Sequence, residues 1–205
     1  MGIIDHNKQL EKIKLIRSGK FREGLRLGIP QIDEHFRFKF TNFNVILGHT
    51  NVGKTTVILY LMLLYSLRHK IKWLVFSSEN EPYALIRKLI EYIAIDPINK
   101  IDEDNLEIYS NFIYEHFRFV DNNELYTYKD LMNIARSVKQ QWKYQGFMID
   151  PYNSLVKEVK DNNFNGHEYD YKATSELRIF CREHNVTIWL NTHANTEAFN
   201  STNGE

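Results

Sequence analysis

Residues 43–56 read FNVILGHTNVGKTT: a compact apolar run from Phe43 to Leu47, then Gly48-His49-Thr50-Asn51-Val52-Gly53-Lys54-Thr55, then Thr56. The run has the length and content of a buried strand. The eight residues after it satisfy Gly-x-x-x-x-Gly-Lys-[Ser/Thr]. Gly53 to His69 then reads as a helix, apolar almost all round and therefore expected to be buried. Strand, glycine loop and helix in that order give the motif its physical sense. The glycines let the backbone wrap closely round phosphates, so that several N–H groups point inward as an anion nest. The first helical turn adds unpaired N–H groups and the positive end of its dipole. Gly48, His49, Thr50, Asn51, Val52, Gly53, Lys54, Thr55 and Thr56 are thus candidate nucleotide-binding residues. Among them Lys54 can reach the β- and γ-phosphates, and the Thr55 hydroxyl can coordinate Mg²⁺.

Hydrolysis needs two further groups, a carboxylate that positions the metal and a base that orients water. Phe147-Met148-Ile149-Asp150 supplies the first, an apolar strand tipped by an acid. Ser77-Ser78-Glu79-Asn80-Glu81-Pro82 follows another strand, Ile71 to Phe76, and offers two candidates for the second. A carboxylate at the carboxyl end of a parallel strand faces the crevice where ligands sit. Glu79, nearer the strand end, is the preferred base. Glu81 has an alternative role beside the helix that Pro82 begins. Asn191-Thr192-His193 follows the last strand, Val186 to Leu190, and His193 is a candidate contact to the γ-phosphate; the plainer reading is an exposed histidine in a loop cap.

Outward from these segments, strands alternate with helices. Helices are expected over 5–18, from Pro82 to about Ile93, near 103–116, from Thr127 to Trp142 and from His167 to His184, with a short strand at Phe117–Val120. Alternation of this kind predicts an α/β fold with a mostly parallel sheet and helices on both faces. The 26 basic and 26 acidic side chains cancel, which excludes a strongly basic nucleic-acid coat protein and an acidic tail. Cys181 is the single cysteine, so an internal disulfide or a zinc cluster is excluded and a reducing compartment is expected. The longest apolar run, Val57 to Leu67, falls short of the roughly 18 residues that cross a bilayer. No basic region followed by an apolar core opens the chain, so no signal peptide is expected.

The order GLRLGIPQIDE, NVILGHTNVGKTT, WLVFSSENEP, GFMIDPYNSL, VTIWLNTHANT resembles the RecA-like P-loop ATPase domain of hexameric replicative DNA helicases, of the DnaB type and of the phage primase–helicases. The resemblance runs from Gly28 onward, and the histidine of NTHANT is similar to the third motif of the phage branch. It implies ATP and Mg²⁺ as cofactors, Lys54 and Thr55 on ATP–Mg²⁺, Glu79 as the water-orienting base, Asp150 on the metal and His193 as γ-phosphate sensor. It also implies single-stranded DNA as a partner, a homo-oligomeric hexameric ring, no membrane and a cytoplasmic setting in a bacterial or phage-infected cell. The segment Tyr152–Tyr169 matches a DNA-facing loop, where Lys157 and Lys160, with Asn162, Asn163 and His167, could meet phosphates. Its acids Glu158, Asp161, Glu168 and Asp170 leave a solvated loop as an equal account. Residues 1–24 correspond to a linker helix and turn, and 25–205 to the ATPase domain. Leu10, Ile13 and Ile16 would face either a neighbouring subunit or the helix's own domain.

The family continues past its third motif with further strands and an arginine that reaches into the adjacent subunit. Here no lysine or arginine follows Arg182. The sequence expectation is therefore an incomplete, weakly active motor domain that couples ATP hydrolysis to translocation on single-stranded DNA. Two alternatives stand beside it: a RecA-like recombinase or filament ATPase, and a nucleotide-gated adaptor or loader without motor activity.

Overall fold

Each of the five apolar runs becomes a strand: Phe43–Gly48 (β1), Trp73–Ser77 (β2), Phe117–Phe119 (β3), Gly146–Asp150 (β4) and Thr187–His193 (β5). The structure, a computed structural model, describes residues 4–19, 24–158 and 166–194. Its helices are His6–Arg17 (α1), Pro30–Asp33 (α2), Lys54–His69 (α3), Pro82–Ala94 (α4), Glu103–His116 (α5), Tyr128–Gln141 (α6) and Gly166–His184 (α7). Two units divide the chain, Met1–Lys39 and Phe40–Glu205.

In the larger unit all five strands are parallel, in the order β1-β5-β4-β2-β3. Parallel neighbours need long crossovers, and helices supply them. The two-residue period of the strands sorts their side chains onto two faces. Leu74, Phe76, Phe147, Ile149, Ile188 and Leu190 point to one face, where they join Leu131 and Ala135 of α6 and Ala173, Leu177 and Phe180 of α7 in one core. Trp73 and Trp189 point to the other. Their rings lie 4.7 Å apart, Trp73 Nε1 donates to Met62 O of α3 at 3.1 Å, and Tyr65 of α3 meets the Trp189 ring edge-on at 6.2 Å. Gly146 makes room for this pair: a Cβ there would stand 2.1 Å from the Trp73 ring.

Helix α6 starts at a capping box, in which Thr127 Oγ1 accepts from the Asp130 N–H and the Asp130 carboxylate accepts from the Thr127 N–H. Cys181 is fully buried in the core, and burial pushes its thiol up to about 11, which makes it an inert packing group.

Two details differ from the sequence expectation. Helix α3 is not buried all round: Ile58, Leu59, Met62, Leu63 and Tyr65 are buried, whereas Val57, Tyr60 and Leu67 are exposed. An apolar circumference permits burial on every side, but the sheet covers only one of them. Strand β5 does not stop at Leu190. Pairing with β1 carries it on, with Asn191 opposite Ile46, Thr192 opposite Leu47 and His193 opposite Gly48. The tripeptide expected to follow the last strand, with a cap as its plainer reading, is therefore the end of that strand.

In the smaller unit, Leu25 bridges Phe38 in antiparallel fashion. The Asp33 carboxylate accepts from the N–H groups of Leu27 at 2.6 Å and Gly28 at 2.7 Å. Burial opposes its charge, but these N–H bonds prevail and hold it below the usual carboxylate range. No residue of α1 is buried; Leu10, Ile13 and Ile16 are all exposed.

Candidate active site

The carboxyl ends of four parallel strands meet at one edge of the sheet, where Gly48 closes β1, Asp150 closes β4, His193 closes β5 and Ser77 closes β2. A cavity of about 500 Å³ opens there, lined among others by Thr50, Asn51, Gly53, Lys54, Thr55 and Thr56 from the glycine loop and by Glu79, Asn191 and His193 from the strand tips.

The loop bends through two left-handed residues, Asn51 at φ 61° and Gly53 at φ 86°. Gly53 is the N-cap of α3, and no side chain caps the helix, so its first N–H groups face the cavity mouth unclaimed by a cap. Gly48 is tightly covered: a Cβ would lie 3.1 Å from Lys54 Cδ. The lysine stem thus lies over Gly48, and Nζ reaches Gly48 O at 2.8 Å, His49 O at 2.6 Å and His193 Nδ1 at 3.2 Å. Thr56 lines the cavity from the first turn of α3. His49 and Val52 enter through their backbone positions in the loop, and the Val52 side chain is exposed.

Thr55 Oγ1 donates to Asp150 Oδ2 at 2.7 Å. Asp150 is 1% exposed, and Asn191 Nδ2 donates to its other oxygen. Burial raises the carboxyl above its ordinary range; the bonds from Thr55 and Asn191 work the other way without overcoming it, and Glu79 adds to the rise. A buried carboxylate with one hydroxyl beside it could hold Mg²⁺, an ion that takes one or two protein oxygens and fills the rest of its shell with phosphate and water. Among the described residues no cluster of three or more His, Cys, Asp or Glu forms.

His193 stands between the two groups the sequence put forward for phosphate binding and for water activation. Its Nε2 lies 3.0 Å from Glu79 Oε1, and its Nδ1 faces Lys54. The lysine ammonium can only donate, so Nδ1 accepts and the proton sits on Nε2, donated to Glu79. Glu81 is exposed, is the N-cap of α4 and is not part of the cavity wall.

Three side chains shape the site that the sequence reading did not assign. Asn153, in the 3-10 turn Tyr152–Ser154 after β4, accepts with one Oδ1 from Thr192 Oγ1 at 2.6 Å and from the His193 N–H at 2.7 Å. Asn122, just past β3, donates to Ser77 O at 3.0 Å and Asn80 O at 3.2 Å, bracing the loop that carries Glu79. Asn191 belongs to a tripeptide noted in the sequence, but its bond to Asp150 depends on β4 and β5 being neighbours, and no spacing announces that.

Of the residues read as DNA contacts, Lys157 donates to Asp170 Oδ2 at 2.8 Å and sits over the Tyr152 ring at 5.8 Å. Asp170 also accepts from the Tyr152 hydroxyl at 2.8 Å. Lys160, Asn162 and Asn163 lie outside the described residues. His167 is exposed in the first turn of α7.

No protein-family model and no curated protein matches the chain. Among solved structures, an ATPase domain matches with a TM-score of 0.72 at 16% identity, over 97% of this chain and 74% of that one. A DnaB-like replicative helicase, solved for its interactions with primase, matches with a TM-score of 0.72 at 18% identity, over 98% of this chain and 50% of that one. The fold is accordingly that of the RecA-like ATPase domain in DnaB-type replicative helicases, and the sheet, expected from the strand–helix alternation to be mostly parallel, is parallel throughout its five strands.

Proposed function

We propose that the chain binds and hydrolyses ATP as the motor domain of a replicative DNA helicase, acting on single-stranded DNA within a ring of identical subunits in the cytoplasm. The observation that carries this reading is the 2.7 Å bond between Thr55 Oγ1 and Asp150 Oδ2. It unites the glycine loop with an acid 95 residues away, at the strand edge where Lys54, Glu79 and His193 also converge.

The chemistry follows from the positions. The N–H groups of the loop and of the first α3 turn receive the phosphates, and Lys54 spreads its charge over the β- and γ-phosphate oxygens. Thr55 and Asp150 would hold Mg²⁺, which when bound neutralises charge on the phosphate oxygens. Glu79, half-exposed beside the cavity, orients a water and takes its proton. His193 touches both Lys54 and Glu79, so it senses the terminal phosphate by exchanging one of these contacts for a phosphate oxygen.

Calorimetry with ATP and Mg²⁺ tests the site. Lys54→Ala is expected to weaken ATP binding on the order of 100-fold, since it removes several charge-assisted hydrogen bonds. Unchanged affinity would refute the site. ATPase assays with and without single-stranded DNA test the motor. The pairing of Lys157 with Asp170 favours one other reading, a nucleotide-gated adaptor, and DNA that leaves the ATPase rate unchanged would select it.

A further inference from the structure

Asn191 holds an atom whose hydrogen bonding the fold leaves incomplete. The residue is 1% exposed, its Nδ2 donates to Asp150 Oδ1, and its Oδ1 is buried with no hydrogen-bond partner. An ionised carboxylate only accepts, so the amide must turn its nitrogen to Asp150 and its oxygen away. A buried carbonyl without a donor destabilises the fold, because it has given up its bond to water. An apolar side chain would continue the strand pattern of Ile188, Trp189 and Leu190 without that cost. Asn191 lines the same cavity as Thr55, whose hydroxyl donates to the buried Asp150 behind it.

What could donate to Oδ1 is narrowly limited. Phosphate oxygens only accept, so a nucleotide's phosphate chain offers nothing. The Thr55 hydroxyl is committed to Asp150, and Lys54 Nζ is shared among Gly48 O, His49 O and His193 Nδ1. Water on a divalent cation is a strong donor, and Mg²⁺ keeps several waters when it binds through one or two carboxylates.

We propose that Asn191 belongs to the metal site: Nδ2 orients Asp150, and Oδ1 accepts a hydrogen bond from a water of the Mg²⁺ that Thr55 and Asp150 would hold. The inference rests on the nucleotide-site reading. Outer-shell partners of this kind typically change metal affinity 10–100-fold.

The test uses the intact chain with ADP, and Mn²⁺ as a paramagnetic substitute for Mg²⁺. In Asn191→Leu, Mn²⁺ affinity measured by electron paramagnetic resonance in the presence of ADP is expected to fall about tenfold or more. Metal-free ADP affinity is expected to stay within twofold. In the unaltered chain, the Asn191 ¹³Cγ resonance is expected to move when Mg²⁺ is added to the ADP complex. This second readout does not depend on how the leucine variant folds. A ¹³Cγ signal that ignores Mg²⁺ would overturn the proposal, as would Asn191→Leu with wild-type Mn²⁺ affinity or with metal-free ADP affinity reduced equally. A chain that binds neither ADP nor Mn²⁺ would instead sink the nucleotide reading, and this inference with it.

Discussion

His193 Nε2 lies 3.0 Å from Glu79 Oε1, and the other ring nitrogen lies 3.2 Å from Lys54 Nζ. The imidazole at the end of β5 therefore joins the groups read as phosphate ligand and as base, although one opens α3 and the other follows β2. A neutral ring suits this place, accepting from the lysine and donating to the carboxylate. Loss of a γ-phosphate contact at His193 would then be felt by Glu79 through a single side chain.

Glu79 and Glu81 can be separated by experiment. Glu79 lines the cavity and meets His193; Glu81 faces solvent at the start of α4. Glu79→Gln is expected to retain ATP affinity while lowering kcat on the order of 100-fold or more, the usual span for losing a general base. Glu81→Gln is expected to leave both close to wild type. Steady-state kinetics with a binding isotherm checks this, and the opposite pattern would move the base to Glu81.

Asp150 carries its charge in a buried place. Burial raises its folded pKa above that of the unfolded chain, so between the two values the folded state holds the proton more tightly. Ligand-free stability therefore falls as pH rises across that window, and the cost persists at all higher pH. Asp150→Asn removes the charge. It is expected to stabilise the ligand-free protein at pH 7 by about 1 kcal/mol, roughly 2–4 °C in Tm. The same change should abolish the further Tm rise that Mg²⁺ gives over ATP alone. Thermal melts from pH 4 to 8 read both effects; a lower Tm for the ligand-free variant at neutral pH would contradict the account.

How far the sequence reaches into this structure depends on whether the information is local. The strand–loop–helix of 43–69 is written in consecutive residues, as are Pro82 at the start of α4 and Thr127 before α6, and these elements form where expected. Asn191 and Thr192 break the apolar run that ends at Leu190, yet partners on β1 extend strand β5 to His193. The exposure of Val57, Tyr60 and Leu67 depends on what covers α3, which its own periodicity does not carry. Asn153 and Asn122 act through strand order, linking residues about 40 and 45 positions apart. In sequence they are ordinary loop asparagines.

Gly146 offers a test of the core rather than of the chemistry. It opens β4 beside Trp73 of β2, its register partner, and an added Cβ would lie 2.1 Å from the indole. Trp73 has no room to retreat, being fully buried against Trp189 and bonded to Met62 O. Gly146→Ala is expected to destabilise the fold by about 1–3 kcal/mol, the range for overpacking. Urea unfolding checks it, and a wild-type midpoint would mean that the tryptophan pair shifts more freely than its packing implies.

Asn153 is expected to act on nucleotide discrimination through His193. Its Oδ1 accepts from both Thr192 Oγ1 and the His193 N–H, which pins the end of β5 to the turn after β4. Its own side chain is exposed and absent from the cavity wall, so it is a positioning residue and not a ligand contact. Only a triphosphate presents a γ-phosphate, so the readout is the ratio of affinities for a slowly hydrolysed ATP analogue and for ADP. His193→Ala is expected to lower that ratio about tenfold, the size of one hydrogen bond to a charged group. Asn153→Ala should lower it severalfold while ADP affinity and Tm hold. Residues acting through one contact are non-additive, so the double variant should match His193→Ala alone. Asn153→Asp keeps the acceptor oxygens and should retain slow exchange of the His193 amide hydrogen. If the two alanine effects simply add, the turn and the histidine act independently, and the link between the β4 turn and the end of β5 is structural only.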